Sequence, residues 1–140
     1  MRRINKILVI QVTMWLGVIL DGLETVAMVI PGLFASTNGI TVADANSFQF
    51  GLWLGAPVML GWTLILIWGV RRPVERSGIL VCLLPVLLGY LVVEAVGLQK
   101  GIAPLQNVLP TVVIQLIMIS LTIISYLVAR ALRRQTPVGL

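Results

Sequence analysis

The sequence contains no histidine and only one cysteine, Cys82. Without histidine the chain lacks the commonest metal ligand and the commonest general base, so haem ligation through histidine and Ser-His or Cys-His catalysis are excluded. A single cysteine cannot form a disulfide within the chain, and in an apolar segment it is typical of a small buried side chain. We therefore predict no cofactor and no metal site.

Charge is also scarce. Only 11% of residues are charged whereas 59% are hydrophobic, which excludes an ordinary soluble domain. The 140 residues have room for about four membrane-spanning helices of ~20 residues and for no separate soluble domain. We predict an all-α bundle of four transmembrane helices forming one domain over 1–140, with helices at about 7–34, 50–70, 78–98 and 111–129.

The positive charges are unevenly distributed. Nine of the ten basic residues precede the first segment, lie between the second and third, or follow the fourth, and Lys100 is the exception. The positive-inside rule then places both termini in the cytoplasm of a multi-pass protein of the inner (plasma) membrane. The basic start followed by an apolar run predicts a retained signal-anchor helix. Nucleic-acid binding is not expected, because no folded basic face lies outside the membrane.

Two acids, Asp21 and Glu24, lie inside the first segment. A carboxylate at the centre of a spanning helix costs up to ~3 kcal/mol, so both acids should face other helices or a water-filled cavity. Pro31 and Gly32 mark a place where this long segment bends or stops.

Further polar side chains fall at a similar predicted depth. At 1.5 Å per residue, Asp21 and Glu94 lie ~21–22 Å from the basic side, and Gln115 lies ~6 Å from the opposite end of its segment. The spacing of Tyr90 and Glu94 at i, i+4 would allow the phenol to donate to the carboxylate. The sequence thus predicts a ligand or cation site in the outer part of the bilayer, made of six residues: Asp21, Glu24, Trp62, Tyr90, Glu94 and Gln115.

The turn between the second and third segments carries Arg71, Arg72 and Arg76. These residues set the topology, and they are also candidates for contact with anionic lipid or a partner protein. Ser77 is predicted to cap the third helix, and Asp44 is predicted to be a solvated loop residue. The fourth segment has an inward-facing polar stripe that includes Met118, Thr122 and Ser125.

The stretch GWTLILIW at 61–68, followed by RPVER at 72–76 and LPV at 84–86, resembles an uncharacterised family of small prokaryotic four-helix integral membrane proteins. The resemblance covers about 61–86, implies the four-span architecture and carries no function. A weaker likeness to small multidrug-resistance exporters rests on four short helices and an acid in the first. Those exporters have little charge bias and lack the arginine-rich turn, so neither dual topology nor drug export is expected.

Three functions remain open. The chain is expected to be a non-enzymatic accessory or oligomeric subunit, in a homo-oligomer or a larger membrane-protein complex, whose acids meet a basic residue of a partner. The first alternative is a self-contained cation- or proton-coupled transporter or channel, although the basic half shows no acid chain to complete a path. The second is a membrane-embedded isomerase acting on a lipid-like substrate, with the acids exchanging protons.

Overall fold

The computed structural model of the chain describes residues 3–40 and 44–135, and it is all-α over those ranges. Five helices are present in the described residues: α1 (Arg3–Val29), α2 (Pro31–Asn38), α3 (Ala45–Val70), α4 (Gly78–Gln99) and α5 (Leu105–Gln135). Four of them, α1, α3, α4 and α5, are long and apolar enough to cross a membrane, which indicates a multi-pass membrane protein.

The segment predicted over 7–34 is divided into two helices. Ile30 leaves the helical conformation at φ −113° and ψ 85°, and α2 begins at Pro31. Proline has no N–H to continue the hydrogen-bond ladder, and its ring disfavours helical dihedrals in the residue before it. The other three helices extend beyond or match their predicted ranges, and α5 is the most extended because Pro110 lies inside it without ending it.

The four long helices form a ring with one weak side. Helix α1 packs along α3 and α5, and α4 packs along α5, whereas α3 and α4 touch only sparsely. The ring has two unlike ends. We call the end with the 71–77 turn the arginine end, and the end with α2 and the turn at 100–104 the loop end.

The arginine end is closed by a packed core. Ile10 and Met14 of α1 are fully buried against residues of the three other long helices, namely Val70, Leu80, Ala129 and Leu132. Beside this core, the Thr13 and Ser125 hydroxyls share a 2.7 Å hydrogen bond between α1 and α5. Met118, Thr122 and Ser125 are buried, as the polar stripe on α5 predicts.

Glycines in the left-handed conformation end the helices at the loop end. Gly39 (φ 63°) follows α2 and Gly101 (φ 66°) follows α4. In both turns the next residue's N–H reaches back to close the helix: Ile40 to the Ala35 carbonyl and Ile102 to the Gly97 carbonyl, each at 2.9 Å. A Cβ on Gly39 would lie 2.8 Å from the Asn107 side chain, so α2 approaches α5 closely here.

Candidate functional site

A cavity of about 570 Å³ occupies the loop-end half of the ring. Its walls come mainly from α1, α4 and α5, with Met59 as the contribution of α3. Aliphatic side chains make most of the surface, and the volume is typical of a site for a small organic ligand. The polar residues on its surface include Asn38, Asp21, Glu24, Tyr90, Glu94, Lys100, Asn107, Thr111 and Gln115.

The four predicted site residues that carry an acid or an amide group all line this cavity. Asp21 and Glu24 project from α1, Glu94 from α4 and Gln115 from α5. The Gln115 side-chain N–H (Nε2) donates to Glu94 Oε1 at 2.9 Å. Glu94 and Gln115, which the sequence places at a similar depth in the membrane, are therefore in direct contact.

Acceptor atoms outnumber donors at the site. Asp21 Oδ2, Glu94 Oε2 and Gln115 Oε1 are buried atoms without a hydrogen-bond partner among the described residues. Buried oxygen atoms of this kind are costly unless a donor or a cation meets them. The arrangement therefore suits an N–H-rich or positively charged group.

The three carboxyl groups interact without converging on one point. Glu24 interacts electrostatically with both Asp21 and Glu94, and the like charges repel. Within 3–40 and 44–135, no group of three or more acids or cysteines is close enough to hold a metal ion. A single metal ion would therefore not be held by all three described acids at once.

Tyr90 and Trp62 are placed differently from the prediction. Tyr90 lines the cavity, but its hydroxyl donates to Met59 Sδ at 3.4 Å across the gap between α4 and α3. The expected Tyr90–Glu94 hydrogen bond is absent from the described contacts, since Gln115 occupies one oxygen of Glu94 and the phenol turns toward α3. Trp62 is half-buried, does not line the cavity, and has a buried Nε1 without a partner in the described part of the chain.

The three arginines of the 71–77 turn lie at the opposite end from the cavity. Arg71 is exposed, and Arg72 forms an exposed ion pair with Glu75 at 3.3 Å. The Arg76 guanidinium stacks on Trp68, 3.6 Å from the ring centroid, and donates to the Trp68 carbonyl. Arg71 and Arg72 therefore present charge to the surroundings, whereas Arg76 also fastens the turn to the end of α3.

Ser77 does not cap α4 with its side chain. Its hydroxyl donates to the Val74 carbonyl at 3.1 Å and accepts a hydrogen bond from the Arg133 guanidinium. The Arg133 Nε–H donates to the same Val74 carbonyl at 2.8 Å. Ser77 therefore stabilises the 71–77 turn, and Arg133 near the end of α5 joins that turn to α5.

Asp44 caps α3, a role that the sequence analysis missed. Its side chain accepts hydrogen bonds from the Asn46 backbone N–H and the Ser47 hydroxyl. The Ser47 hydroxyl, followed by the backbone N–H groups of Asn46 and Ser47, holds the pKa of the Asp44 carboxyl below its ordinary value. An aspartate directly before an apolar run is a typical helix-start signal, so the sequence carried this information.

Lys100 was also missed as a cavity residue. It follows α4 directly, is exposed, and lines the cavity from the loop end together with Asn38 and Asn107. It lies two residues past the predicted segment 78–98, and the sequence analysis treated it as an isolated loop charge. Only the return of α5 over the 100–104 turn places it on the same cavity as the acids.

Comparison with family models, with curated proteins and with solved structures finds no match to this chain. These comparisons therefore add nothing to the resemblance noted over 61–86, and the function is argued from the cavity.

Proposed function

We propose that this chain is a non-enzymatic, multi-pass inner-membrane protein, with both termini in the cytoplasm, whose cavity binds a cationic group carried on an apolar body. The observation that carries the proposal is the set of acids from two helices, with unpartnered buried oxygens, inside an apolar-walled cavity. With both termini inside, the cavity opens toward the outer face.

Charge balance supports a cation. Asp21, Glu24 and Glu94 share the cavity with Lys100 as the basic residue among its described lining. Lys100 stands at the rim and has no carboxylate within ion-pair distance in the described ranges. An entering ammonium or guanidinium group would relieve the repulsion between Glu24 and its neighbours.

The packing favours binding over conduction. At the floor of the cavity, Gly17 fits against Leu66 and Met118, with a Leu66 methyl 3.1 Å from the position of an added Cβ. Beyond them lies the core around Ile10 and Met14, which are both fully buried. A transported ion would have to cross both layers, so a transporter or channel role needs a second conformation.

The accessory-subunit form of the proposal has its own support. The sparse contact between α3 and α4 leaves a lateral gap, bridged by the Tyr90–Met59 hydrogen bond. A partner helix, from a second copy or another subunit, could bring a lysine or arginine to the acids through that gap. The cationic group would then belong to a protein instead of a small molecule.

Binding to purified protein in nanodiscs tests the small-molecule form. Octylammonium is the probe, with octanol as its uncharged counterpart, and empty nanodiscs correct for partition into lipid. We expect saturable binding of octylammonium alone, weakened about tenfold or more by Glu94→Gln or Glu24→Gln, because a hydrogen bond to a charged group contributes about 1.5–3 kcal/mol. Glu75→Gln, which neutralises an exposed acid outside the cavity, is the matched control and should bind as wild type.

Equal binding of octylammonium and octanol, or equal loss in all three variants, would overturn the proposal. Mass spectrometry of the natively extracted protein tests the subunit form. A stoichiometric partner lost in the Asp21→Asn/Glu24→Gln variant supports a basic side chain in the cavity. A partner retained by that variant argues against one.

A further inference from the structure

Lys100 lies where it weakens the binding of a simple cation. It lines the same cavity as three acids, yet it carries the opposite charge and stands at the loop-end rim. A site for a plain ammonium compound gains nothing from a lysine at its entrance, since like charges repel. The lysine therefore needs an explanation that the proposed function does not supply.

Helix geometry separates the two kinds of charge by a useful distance. Lys100 follows Glu94 by six positions, which is ~9 Å along the α4 axis at 1.5 Å per residue. Helix α4 ends at Gln99, and Gly101 in the left-handed conformation turns the chain back toward α5. The cavity thus has acids in its middle and a lysine at its rim. The ~9 Å between them along α4 leaves room for a ligand that carries both a positive and a negative group.

The neighbouring amides leave Lys100 as the cationic donor at the rim. The Asn38 amide N–H donates to the Phe34 carbonyl at 2.9 Å, and the Asn107 amide N–H donates to the Thr37 carbonyl at 3.2 Å. The first bond lies within α2 and the second joins α5 to α2, so each amide already has an N–H engaged. An anionic group at the rim would meet the ammonium of Lys100 first.

We propose that the preferred ligand is a zwitterion: an ammonium group placed among the acids, a phosphate at Lys100, and an apolar tail along the aliphatic walls. The inference rests on the proposed function, because it assigns the anionic half of the ligand for the same cavity. A phosphoethanolamine headgroup has this chemistry, whether it belongs to a membrane lipid or to a soluble compound. The lateral gap between α3 and α4 gives a lipid tail a route to the bilayer.

The test compares two probes on one substitution, with the protein in nanodiscs made of phosphatidylglycerol. The probes are octylphosphoethanolamine, which is zwitterionic, and octylammonium, which has the same tail and no phosphate. We expect Lys100→Gln to weaken octylphosphoethanolamine binding by up to about fivefold, the upper end of the range for an exposed charge pair. The same substitution should leave octylammonium binding unchanged or tighten it, because it removes a like charge. Lys6→Gln, at the arginine end, is the matched control and should change neither.

The outcomes separate the two proposals. If octylammonium binds and depends on Glu94 but Lys100→Gln affects both probes alike, the zwitterion assignment is wrong and the cation site stands. If neither probe binds, the proposed function fails as well. Competition by phosphoethanolamine without a tail would point to a soluble ligand. Competition only by the tailed form would point to a lipid, and both results support the zwitterion.

Discussion

The hydrogen bond between Gln115 and Glu94 gives the sharpest test of the structure. It joins α4 to α5 at 2.9 Å, with both side chains half-buried in the cavity wall. The remaining oxygens, Glu94 Oε2 and Gln115 Oε1, have no partner among the described residues. Removing one member and removing both should therefore have very different effects.

The change in the free energy of unfolding depends on whether a variant leaves the other member of the pair without a hydrogen bond. Gln115→Leu takes away the donor and leaves both Glu94 oxygens unpaired, so we expect the free energy of unfolding to fall by about 1–2 kcal/mol. Glu94→Leu combined with Gln115→Leu removes both polar groups in favour of apolar ones, a change that is often neutral or stabilising. The coupling between the two sites should be about 0.6 kcal/mol, the mean found for side-chain hydrogen bonds in a membrane protein, and at most about 1.7 kcal/mol.

Reversible unfolding of the purified protein in mixed micelles, with increasing SDS and far-ultraviolet circular dichroism as the readout, measures these differences. The matched control is Gln106→Leu, which removes an exposed glutamine from the same helix and should change stability little. The double variant should be more stable than Gln115→Leu alone. Additivity of the two single changes within ~0.3 kcal/mol would refute the contact.

Three further predictions concern other contacts. Ser125→Ala should lower the free energy of unfolding by about 1 kcal/mol, because it removes the 2.7 Å hydrogen bond to Thr13 inside the α1–α5 interface. Gly39→Ala should cost about 1–2 kcal/mol in the same assay, since the residue has φ 63° and an added Cβ would lie 2.8 Å from Asn107. The pKa of Asp44 is lowered from its ordinary value of 3.8. The cap therefore stabilises α3 fully when the pH is above 3.8, and this stabilisation is lost as the pH falls through the folded pKa. Asp44→Asn should therefore flatten the acid limb of stability measured against pH.

Each of these has a matched control. Ser120→Ala removes an exposed hydroxyl from the same helix as Ser125 and should be nearly silent. Gly22→Ala adds a methyl group with no other group within 4 Å and should not destabilise α1. Glu75→Gln removes an exposed acid that caps no helix and should keep the wild-type acid limb. A control that changes as much as its test variant would contradict the corresponding contact.

Depth along a helix was predictable, whereas direction around it was not. A fixed rise of 1.5 Å per residue is enough to place Glu94 and Gln115 at related heights, and the two side chains are in contact. The partner of Tyr90 depends on how α4 is rotated against α3, and spacing within one helix contains no information on that rotation. The position of Trp62 outside the cavity has the same cause, because α3 turns Met59 toward the cavity instead.

Segment type was likewise easier to predict than segment ends. Long apolar runs are enough to identify the four helices that can cross a membrane. The break before Pro31 and the continuation of α5 through Pro110 show that proline ends a helix in one place and not in another. Pro110 is the sixth residue of α5, past the first four positions whose N–H groups have no partner, so α5 continues through it with one backbone hydrogen bond missing. Lys100 was missed because the packing of α5 against α4 decides whether it faces the cavity, although its spacing from Glu94 along α4 follows from the sequence.

The two ends of the bundle differ in the side chains that α1 carries. At the arginine end, Ile10 and Met14 pack against all three neighbouring long helices, whereas at the loop end α1 presents Asp21 and Glu24 toward Glu94 of α4. Each acid costs up to ~3 kcal/mol on insertion, and one hydrogen bond from Gln115 returns only ~1 kcal/mol. The remaining compensation has to come from outside the described contacts: from protonation of the acids, from water in the open cavity or from a cationic group bound there. Water lowers the cost of each charge but leaves the repulsion between Glu24 and its neighbours, and a bound cation removes both. If the proposed function is right, a bound cation should therefore stabilise this half of the ring.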